Sequence, residues 1–379
     1  MNEPSDGPIA ELLSIGSELL VGETVDTNAA FLGAALARLG IPLRGGRTLP
    51  DELGAIAAAF DEARSRSDLV VATGGLGPTH DDLTREALAQ ALGESLSSDA
   101  GLEEELRARF AAFGRMPEAN LRQALRAPSA QALPNPIGSA PGWWVDRDGS
   151  VTVLMPGVPS EMRRMWMEEV VPRLERRFAL RPVHTRTIKT FGVGESAVAE
   201  ATGDLLDAPG EDVVAGIYAR DDGVHLRFST RGDPLLLEKP AARARELLAD
   251  HVYGTDDDQL PALALAVLGR AGAATVASRE SGTQGTLLAT LAAAEPAPGA
   301  ARYVGGVLEA GTATAPPAGD ALIELTLLPA DAHGRSRVRI AISGVVTLPL
   351  VEVRTHGSGP QRLRRAAFAA LDQVRRALR

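Results

Sequence analysis

Apolar residues along the chain fall into two kinds of run. Short, nearly unbroken ones, Ile9-Ala10-Glu11-Leu12-Leu13-Ser14-Ile15 and Leu69-Val70-Val71-Ala72, predict strands buried on both faces. Longer ones, with apolar residues three and four apart, predict helices. The first strand ends in Gly16-Ser17-Glu18, and the next helix carries Ala30, Phe31, Ala34, Leu36 and Leu39. Asp26 or Thr27 is placed to cap that helix and Gly40 to stop it. A short strand from Ile41 to Thr48 and an alanine-rich helix from Ala55 to Arg64 follow, with Asp51 ahead of the helix as an N-cap or a site residue. Leu69–Ala72 then runs through Thr73-Gly74-Gly75-Leu76-Gly77-Pro78-Thr79-His80-Asp81-Asp82-Leu83-Thr84 into a helix with Leu83, Ala87, Leu88 and Ala91 on one face. Strand and helix alternate three times, the order of a parallel sheet covered on both faces.

Further on, Asp99 to Phe113 reads as a helix buried along Leu102, Leu106 and Phe110, its acidic residues in solvent. Trp143-Trp144-Val145 and Val151 to Met155 flank a hairpin-like Asp148-Gly149, and a helix with Met162, Met165 and Trp166 opens at Pro156-Gly157-Val158-Pro159-Ser160-Glu161. The tryptophans and methionines read as packing. A boundary falls near Arg181-Pro182. After it come a strand from Thr187 to Phe191, a helix from Glu195, strands Val213 to Tyr218 and Val224 to Ser229, and a helix from Pro240 to Asp250. Lys189 and Arg227 are its weaker ligand candidates. Asp256-Asp257-Asp258 reads as a solvated linker. From about Leu260 the pattern gives a helix, a strand from Ala274 to Ala277, the segment Arg279-Glu280-Ser281-Gly282-Thr283-Gln284-Gly285, and a last helix from Gln361 to Arg379 docked on its own domain through Leu363, Ala367, Leu371, Val374 and Leu378. The expected domains are 1–180, 181–255 and 256–379.

Composition narrows the chemistry. A chain of 379 residues suits two or three domains, and 45% hydrophobic residues can supply their cores. A net charge of −10 leaves no basic field, so nucleic acid is not an expected partner and a small or cation-masked ligand fits better. With no cysteine there is no disulfide, thiolate zinc site or thiol nucleophile. Met1 to Gly7 is polar and acidic, and no run of about 18 apolar residues occurs, so a soluble cytoplasmic protein without a membrane span is expected.

The loop after Ala72 carries the strongest chemical signal. Gly74, Gly75 and Gly77 allow backbone N–H groups to converge on a phosphate. Asp81 and Asp82 could hold a divalent cation beside it, or one could ionise while its neighbour stays partly protonated. In the bland alternative the glycines make a tight turn and an aspartate caps the next helix. Pro78, Thr79 and His80 extend the loop beyond what a turn needs. His80 suits either a proton carrier or a structural loop residue. Capping accounts for one of Glu18, Asp26 and Asn28, not for all three. The Pro156 to Glu161 turn is a second candidate anion loop.

Taken together, Gly16-Ser17-Glu18-Leu19-Leu20, Asp26-Thr27-Asn28, Gly74 to Thr84, Asn135 with Ala140-Pro141-Gly142, and Pro156 to Met162 resemble the CinA family. The amino-terminal half of that family is similar to molybdenum-cofactor proteins of the MogA and MoaB type. The resemblance implies a three-layer α/β/α domain, a small α+β domain of KH-like topology and a carboxyl-terminal α/β deamidase-like domain. It also implies metal-dependent hydrolysis of ADP-ribose to AMP and ribose 5-phosphate; a homodimer is the expected assembly, with the small domain serving packing or dimerisation. Carried onto this chain, it makes Asp51, Asp82 and Asp81 catalytic, with Asp81 and Asp82 on a divalent cation, magnesium or cobalt, and potassium as a further candidate. Glu18, Asp26, Thr27, Asn28, Gly74, Gly75, Gly77, Thr79, His80, Thr84, Asn135, Gly157, Ser160 and Glu161 then bind substrate.

The KH likeness is no argument for RNA binding, because Asp221-Asp222-Gly223 is acidic. In the last domain Glu280, Ser281, Thr283 and Gly285 match the family's nicotinamide-mononucleotide deamidase motif, whereas Arg279, Gly282 and Gln284 depart from it. Its tyrosine and lysine positions are here Ala310 and Ala315, and the stretch from Thr312 to Gly319 is Ala, Thr, Pro and Gly. A serine without a base is a weak nucleophile, so the expectation is a degenerate remnant without deamidase activity. Two other readings stand beside the hydrolase: a non-catalytic nucleotide-binding or assembly protein linked to competence or DNA damage, and a molybdopterin-binding protein.

Overall fold

The computed structural model describes residues 7–111, 114, 116–308 and 318–378. The residues before Gly7, Ala310, Ala315, the stretch from Thr312 to 317, and the expected helix ends Phe113 and Arg379 lie outside that set. The chain divides into two compact units, 1–183 and 184–379.

The first unit runs β1 (Ala10–Ile15), α1 (Ser17–Leu20), α2 (Thr27–Arg38), β2 (Leu43–Leu49), α3 (Leu53–Arg66), β3 (Leu69–Thr73), α4 (Thr84–Leu92), β4 (Ser97–Ser98) and α5 (Ala100–Ala111). A 3₁₀ turn over Glu118–Ala124 leads to β5 (Leu125–Arg126), β6 (Gln131–Leu133), β7 (Gly142–Arg147), β8 (Ser150–Met155), α6 (Pro159–Met165) and α7 (Val171–Arg177). The main sheet has the order β2-β1-β3-β8-β7-β6. Its first four strands are parallel, but β7 and β6 are antiparallel, so the expected parallel sheet is mixed: the short hairpin after Arg147 returns β8 beside β7. Side chains alternate across this sheet, as the adjacent tryptophans show. Trp143 packs with Phe60, Val70 and Leu154 under α3 and α4, whereas Trp144 packs with Leu36, Val71 and Met165 under α2 and α6. Both faces are therefore covered, giving three α/β/α layers.

The second unit contains two sheets. Strands β9 (His184–Thr190), β10 (Val213–Arg220), β11 (Gly223–Thr230) and β12 (Val252–Thr255) pair antiparallel in the order β10-β11-β9-β12. They surround a core shared with α8 (Glu195–Ala201) and α10 (Glu238–Leu248), with α9 (Gly203–Asp207) between α8 and β10. Next come α11 (Leu260–Arg270), β13 (Thr275–Ser281), α12 (Thr286–Ala292), β14 (Arg302–Leu308), β15 (Ala321–Leu327), β16 (Arg335–Gly344), β17 (Leu348–His356) and α13 (Gly359–Ala377), the five strands forming a sheet in the order β14-β13-β15-β16-β17. Leu265, Leu287, Ile323, Ile340 and Leu371 join these helices and strands in one core. The last helix is docked, burying Ala367, Leu371 and Val374.

Two further expectations change. Asp256 is not in a free linker: it accepts from Arg186 Nη1 at 2.7 Å and from Thr187 N at 2.8 Å, and Asp258 accepts from Thr255 N at 2.8 Å. Strand β13 extends to Ser281, so Arg279, Glu280 and Ser281 belong to a strand and not to the loop after it. Among the described residues no helix is long and apolar enough to cross a membrane.

Candidate diphosphate cleft

The parallel strands β1, β3 and β8 end side by side at Ile15, Thr73 and Met155, and a cleft of about 480 Å³ opens beyond those ends. Carboxyl ends of parallel strands are where open α/β sheets bind ligands, because the loops diverge there. Its floor is the glycine loop. Gly74 and Gly75 have φ of +97° and +62°. A Cβ on Gly74 would lie 2.1 Å from Ile15 O and one on Gly75 2.2 Å from Thr84 Oγ1. Only glycine fits at either position.

The loop is held from behind. Thr84 Oγ1 donates to Gly74 O at 2.8 Å and Thr84 N to Gly75 O at 3.2 Å. In a trans peptide N–H and C=O point oppositely, so these grips turn the amides of Gly75 and Leu76 away from Thr84. Gly74, Gly75 and Leu76 line the cleft, and neither of the two amides meets a protein acceptor among the described residues. Arg85 continues the pattern, donating to Leu76 O and, at 3.5 Å, to Gly77 O.

Asp82 stands in front. Its carboxylate accepts from Gly77 N and Thr79 N, both at 2.8 Å, and from Thr79 Oγ1 at 2.5 Å. The residue before α4 is Leu83, and no side chain caps that helix, so the capping role weighed for Asp81 and Asp82 is not what the loop does. Asp51 is likewise no cap. Its Oδ2 accepts from Ser17 N at 2.8 Å while Ser17 Oγ accepts from Asp51 N at 3.2 Å, which ties the end of β2 to the end of β1. Asp26 does cap α2, accepting from Ala29 N at 2.8 Å. Asn28 Nδ2 donates to Gly157 O at 2.8 Å, and its Oδ1 is buried without a partner.

The cleft brings together Glu18, Asp26, Thr27, Asn28, Asp51, Gly74, Gly75, Gly77, Asp81, Asp82, Gly157 and Glu161. The other anticipated residues stand outside its lining. Thr79 serves Asp82, and His80 projects into solvent with a side-chain exposure of 99%. Thr84 is fully buried behind the loop, and Ser160 is exposed on α6. Asn135 braces a neighbouring turn, bonding Gly138 N, Ala140 O and Glu161 Oε2 at 2.7–2.9 Å. Ser17 carries a signal in the sequence only as part of the Gly16–Leu20 motif, and Arg85, Arg122 and Gln123 carry none. Arg122 and Gln123 sit in the 3₁₀ turn, which carries neither periodicity nor motif, and both donate to carbonyls of the loop.

Electrostatically the cleft is one-sided. Among the described residues six carboxylates line it, from Glu18, Asp26, Asp51, Asp81, Asp82 and Glu161, and no lysine, arginine or histidine does. With the single Thr79 hydroxyl proton donated to Asp82, the Asp81 amide and the neighbouring His80 hold the exposed Asp81 carboxyl below the ordinary carboxylate range. Among the described residues no group of three or more His, Cys, Asp or Glu side chains is arranged to hold a metal ion. With Asp82 already accepting three hydrogen bonds, Asp81 is the member of the pair left open to a cation, whose remaining positions would fall to water and ligand oxygens. Magnesium is commonly held in that way.

In the second unit the motif residues do structural work. Glu280 is 1% exposed and accepts from Thr283 Oγ1 at 2.6 Å and from Leu287 N and Leu288 N at 2.9 Å, fastening the start of α12. No base meets the Ser281 hydroxyl among the described residues. Lys189 donates to Asp258 O at 2.9 Å, and the Arg227 guanidinium lies 4.8 Å from the Tyr218 ring centroid.

Comparison with known proteins matches residues 11–176 to the family described as "Probable molybdopterin binding domain" and residues 185–254 to "Damage-inducible protein CinA KH domain". A CinA-like protein of Thermomicrobium roseum is 48% identical over 296 residues, covering 76% of this chain and 72% of its own length. One from Deinococcus deserti is 44% identical, with 76% and 71% covered. Among solved structures, that of the protein CinA from Thermoplasma acidophilum is 35% identical with a TM-score of 0.42, and covers 45% of this chain and 98% of its own.

Proposed function

The chain belongs to the CinA family, and from that premise we propose that its first unit hydrolyses ADP-ribose to AMP and ribose 5-phosphate. The observation that carries this reading is the pairing of two amides left without a protein acceptor, Gly75 N and Leu76 N, with an acidic cleft lined, among the described residues, by no basic side chain. Amides on a glycine loop suit phosphate oxygens. The surrounding carboxylates suit a phosphate only when a cation comes with it, which favours a charged diphosphate over a lone anion.

In this reading Asp81 holds the divalent cation, and Asp82 holds the loop that meets the phosphate. When bound, the cation offsets the negative charge on both phosphates. Asp51 lines the cleft with Oδ2 fixed by Ser17 N, so Oδ1 is the oxygen that orients water and accepts its proton. The water oxygen bonds to one phosphorus as the bond from that phosphorus to the bridging oxygen breaks. The orphaned Asn28 Oδ1 suits a donor on the ligand, such as a ribose hydroxyl. General-base catalysis contributes roughly 10²–10⁴-fold, so Asp51→Asn should lower kcat by about that factor while binding persists. Turnover of Asp51→Asn at the wild-type rate would remove Asp51 from the role.

The second unit is proposed to lack nicotinamide-mononucleotide deamidase activity. Glu280 is committed to α12, and among the described residues no base meets the Ser281 hydroxyl to take its proton. Conversion of the mononucleotide to its acid form by the purified protein, lost in Ser281→Ala, would overturn this.

A further inference from the structure

Arg85 presents a physical problem that the cleft can solve. Its side chain is 2% exposed, behind the glycine loop. Among the described residues it forms no ion pair: its hydrogen bonds go to Leu76 O and Gly77 O, and Nε has no partner there. Burial lowers its pKa to about 10, against the through-space pull of Glu86 and Asp82. A guanidinium buried without a touching carboxylate is costly, and the structure gives it only two carbonyl oxygens.

The peptide joining Leu76 to Gly77 explains where that charge acts. Arg85 grips its oxygen, and on the opposite edge its N–H donates to Asp82 Oδ1 at 2.8 Å. Cation, peptide dipole and carboxylate are thus in line across the loop. The cation end lies behind the cleft wall, and the dipole carries its influence to the Asp82 carboxylate, which lines the cleft. Arg122 assists from the flank, donating to Thr79 O at 2.5 Å and to Glu86 Oε1 at 2.8 Å, so its own charge is already paired. Arg85 is therefore the cation whose charge has the least local compensation and the most direct line to the loop.

We propose that Arg85 is a positioning residue whose charge, transmitted through the Leu76–Gly77 peptide to Asp82 in the cleft lining, makes the loop prefer a diphosphate over a monophosphate. This rests on the reading of the cleft as a diphosphate site. A second phosphate adds negative charge to a cleft whose own side chains are acidic, so the fixed charge behind the wall matters more for the diphosphate. In a low-dielectric setting it is screened less than a surface charge.

The test compares α,β-methylene-ADP and AMP by titration calorimetry with magnesium present, in the full chain. In Arg85→Gln, which keeps a donor but loses the charge, the preference for the diphosphate should fall about tenfold. In Arg85→Lys, which keeps the charge, it should stay within about threefold of wild type. An unchanged preference in folded Arg85→Gln overturns the proposal, as does equal loss of affinity for both ligands, which would mean that the loop has simply collapsed. Should Arg85→Gln fail to fold, a tenfold loss of preference in folded Arg85→Lys overturns it as well. A wild-type protein that binds neither probe instead contradicts the diphosphate reading of the cleft.

Discussion

Removing the Asp82 carboxylate tests whether it acts on the loop or on the ligand. Asp82→Ala deletes the acceptor for Gly77 N, Thr79 N and Thr79 Oγ1, the first two at 2.8 Å. Hydrogen bonds to a charged group contribute about 1.5–3 kcal/mol each. They are not additive here, because the amides are released toward solvent, so a net loss of about 2–4 kcal/mol in loop order is expected. If ligand binding must restore that order, affinity for α,β-methylene-ADP should fall roughly 30- to 1,000-fold, at about 1.4 kcal/mol per tenfold. Hydrogen exchange of the Gly77 and Thr79 amides should accelerate in the free protein, while the urea midpoint of the first unit moves little. Asp82→Asn should behave almost alike, since its amide group presents a donor where the loop presents donors. Asp81→Asn should leave exchange at Gly77 and Thr79 unchanged and alter the cation dependence of turnover. If Asp82→Ala abolished turnover with exchange at both amides unchanged, the brace reasoning would fail and Asp82 would act on the ligand directly.

Other perturbations reach different parts of the account. Gly75→Ala puts a Cβ 2.2 Å from Thr84 Oγ1 at a φ of +62°, so binding should weaken at least tenfold, with about 1–2 kcal/mol from the left-handed backbone alone; Gly45→Ala, which meets nothing within 4 Å, is the control, and equal effects from the two would refute the argument. Trp166→Ala removes a side chain 1% exposed in the α2–α6 face of the core and should cost about 3–5 kcal/mol in urea unfolding of the first unit, whereas a loss below about 1 kcal/mol would contradict that packing. Burial raises the Asp222 carboxyl, but hydrogen bonds from His225 and Tyr253 outweigh it and hold the pKa at about 2. The stability this supplies should be complete above the unfolded value near 4 and lost as pH falls toward 2. After solvent screening it should amount to no more than about 1–2 kcal/mol, and an Asp222→Asn variant with the same acid profile as wild type would exclude it.

The three-layer unit was legible because its central strands β1, β3 and β8 are buried on both faces and its helices on one, so residue spacing carries the architecture. Trp143 and Trp144, adjacent in sequence and on opposite faces of the sheet, are an instance. The glycine loop was legible too, since Gly74 and Gly75 need a backbone that few residues adopt. The division of labour between Asp81 and Asp82 was not. Neighbouring aspartates look alike in sequence, and what separates them is the path of the loop, which returns Gly77 N and Thr79 N to Asp82 alone. Arg85, Arg122 and Gln123 escaped for a related reason, because they bind backbone carbonyls and any donor of suitable length could do so. Asp256 was misjudged because its partner Arg186 lies 70 residues away, on a strand whose register no local pattern sets. The four-residue strand β12 gave too short a period to read.

The central claim is that the cleft breaks a diphosphate bond with water. Its most direct test is product analysis of ADP-ribose incubated with the purified chain and magnesium or cobalt, with Asp51→Asn as the control. The expected products are AMP and ribose 5-phosphate in equal amounts, at a rate lowered roughly a hundredfold or more in the control. Intact ADP-ribose under every cation, with no other nucleotide diphosphate cleaved, would contradict it and leave the cleft as a binding site.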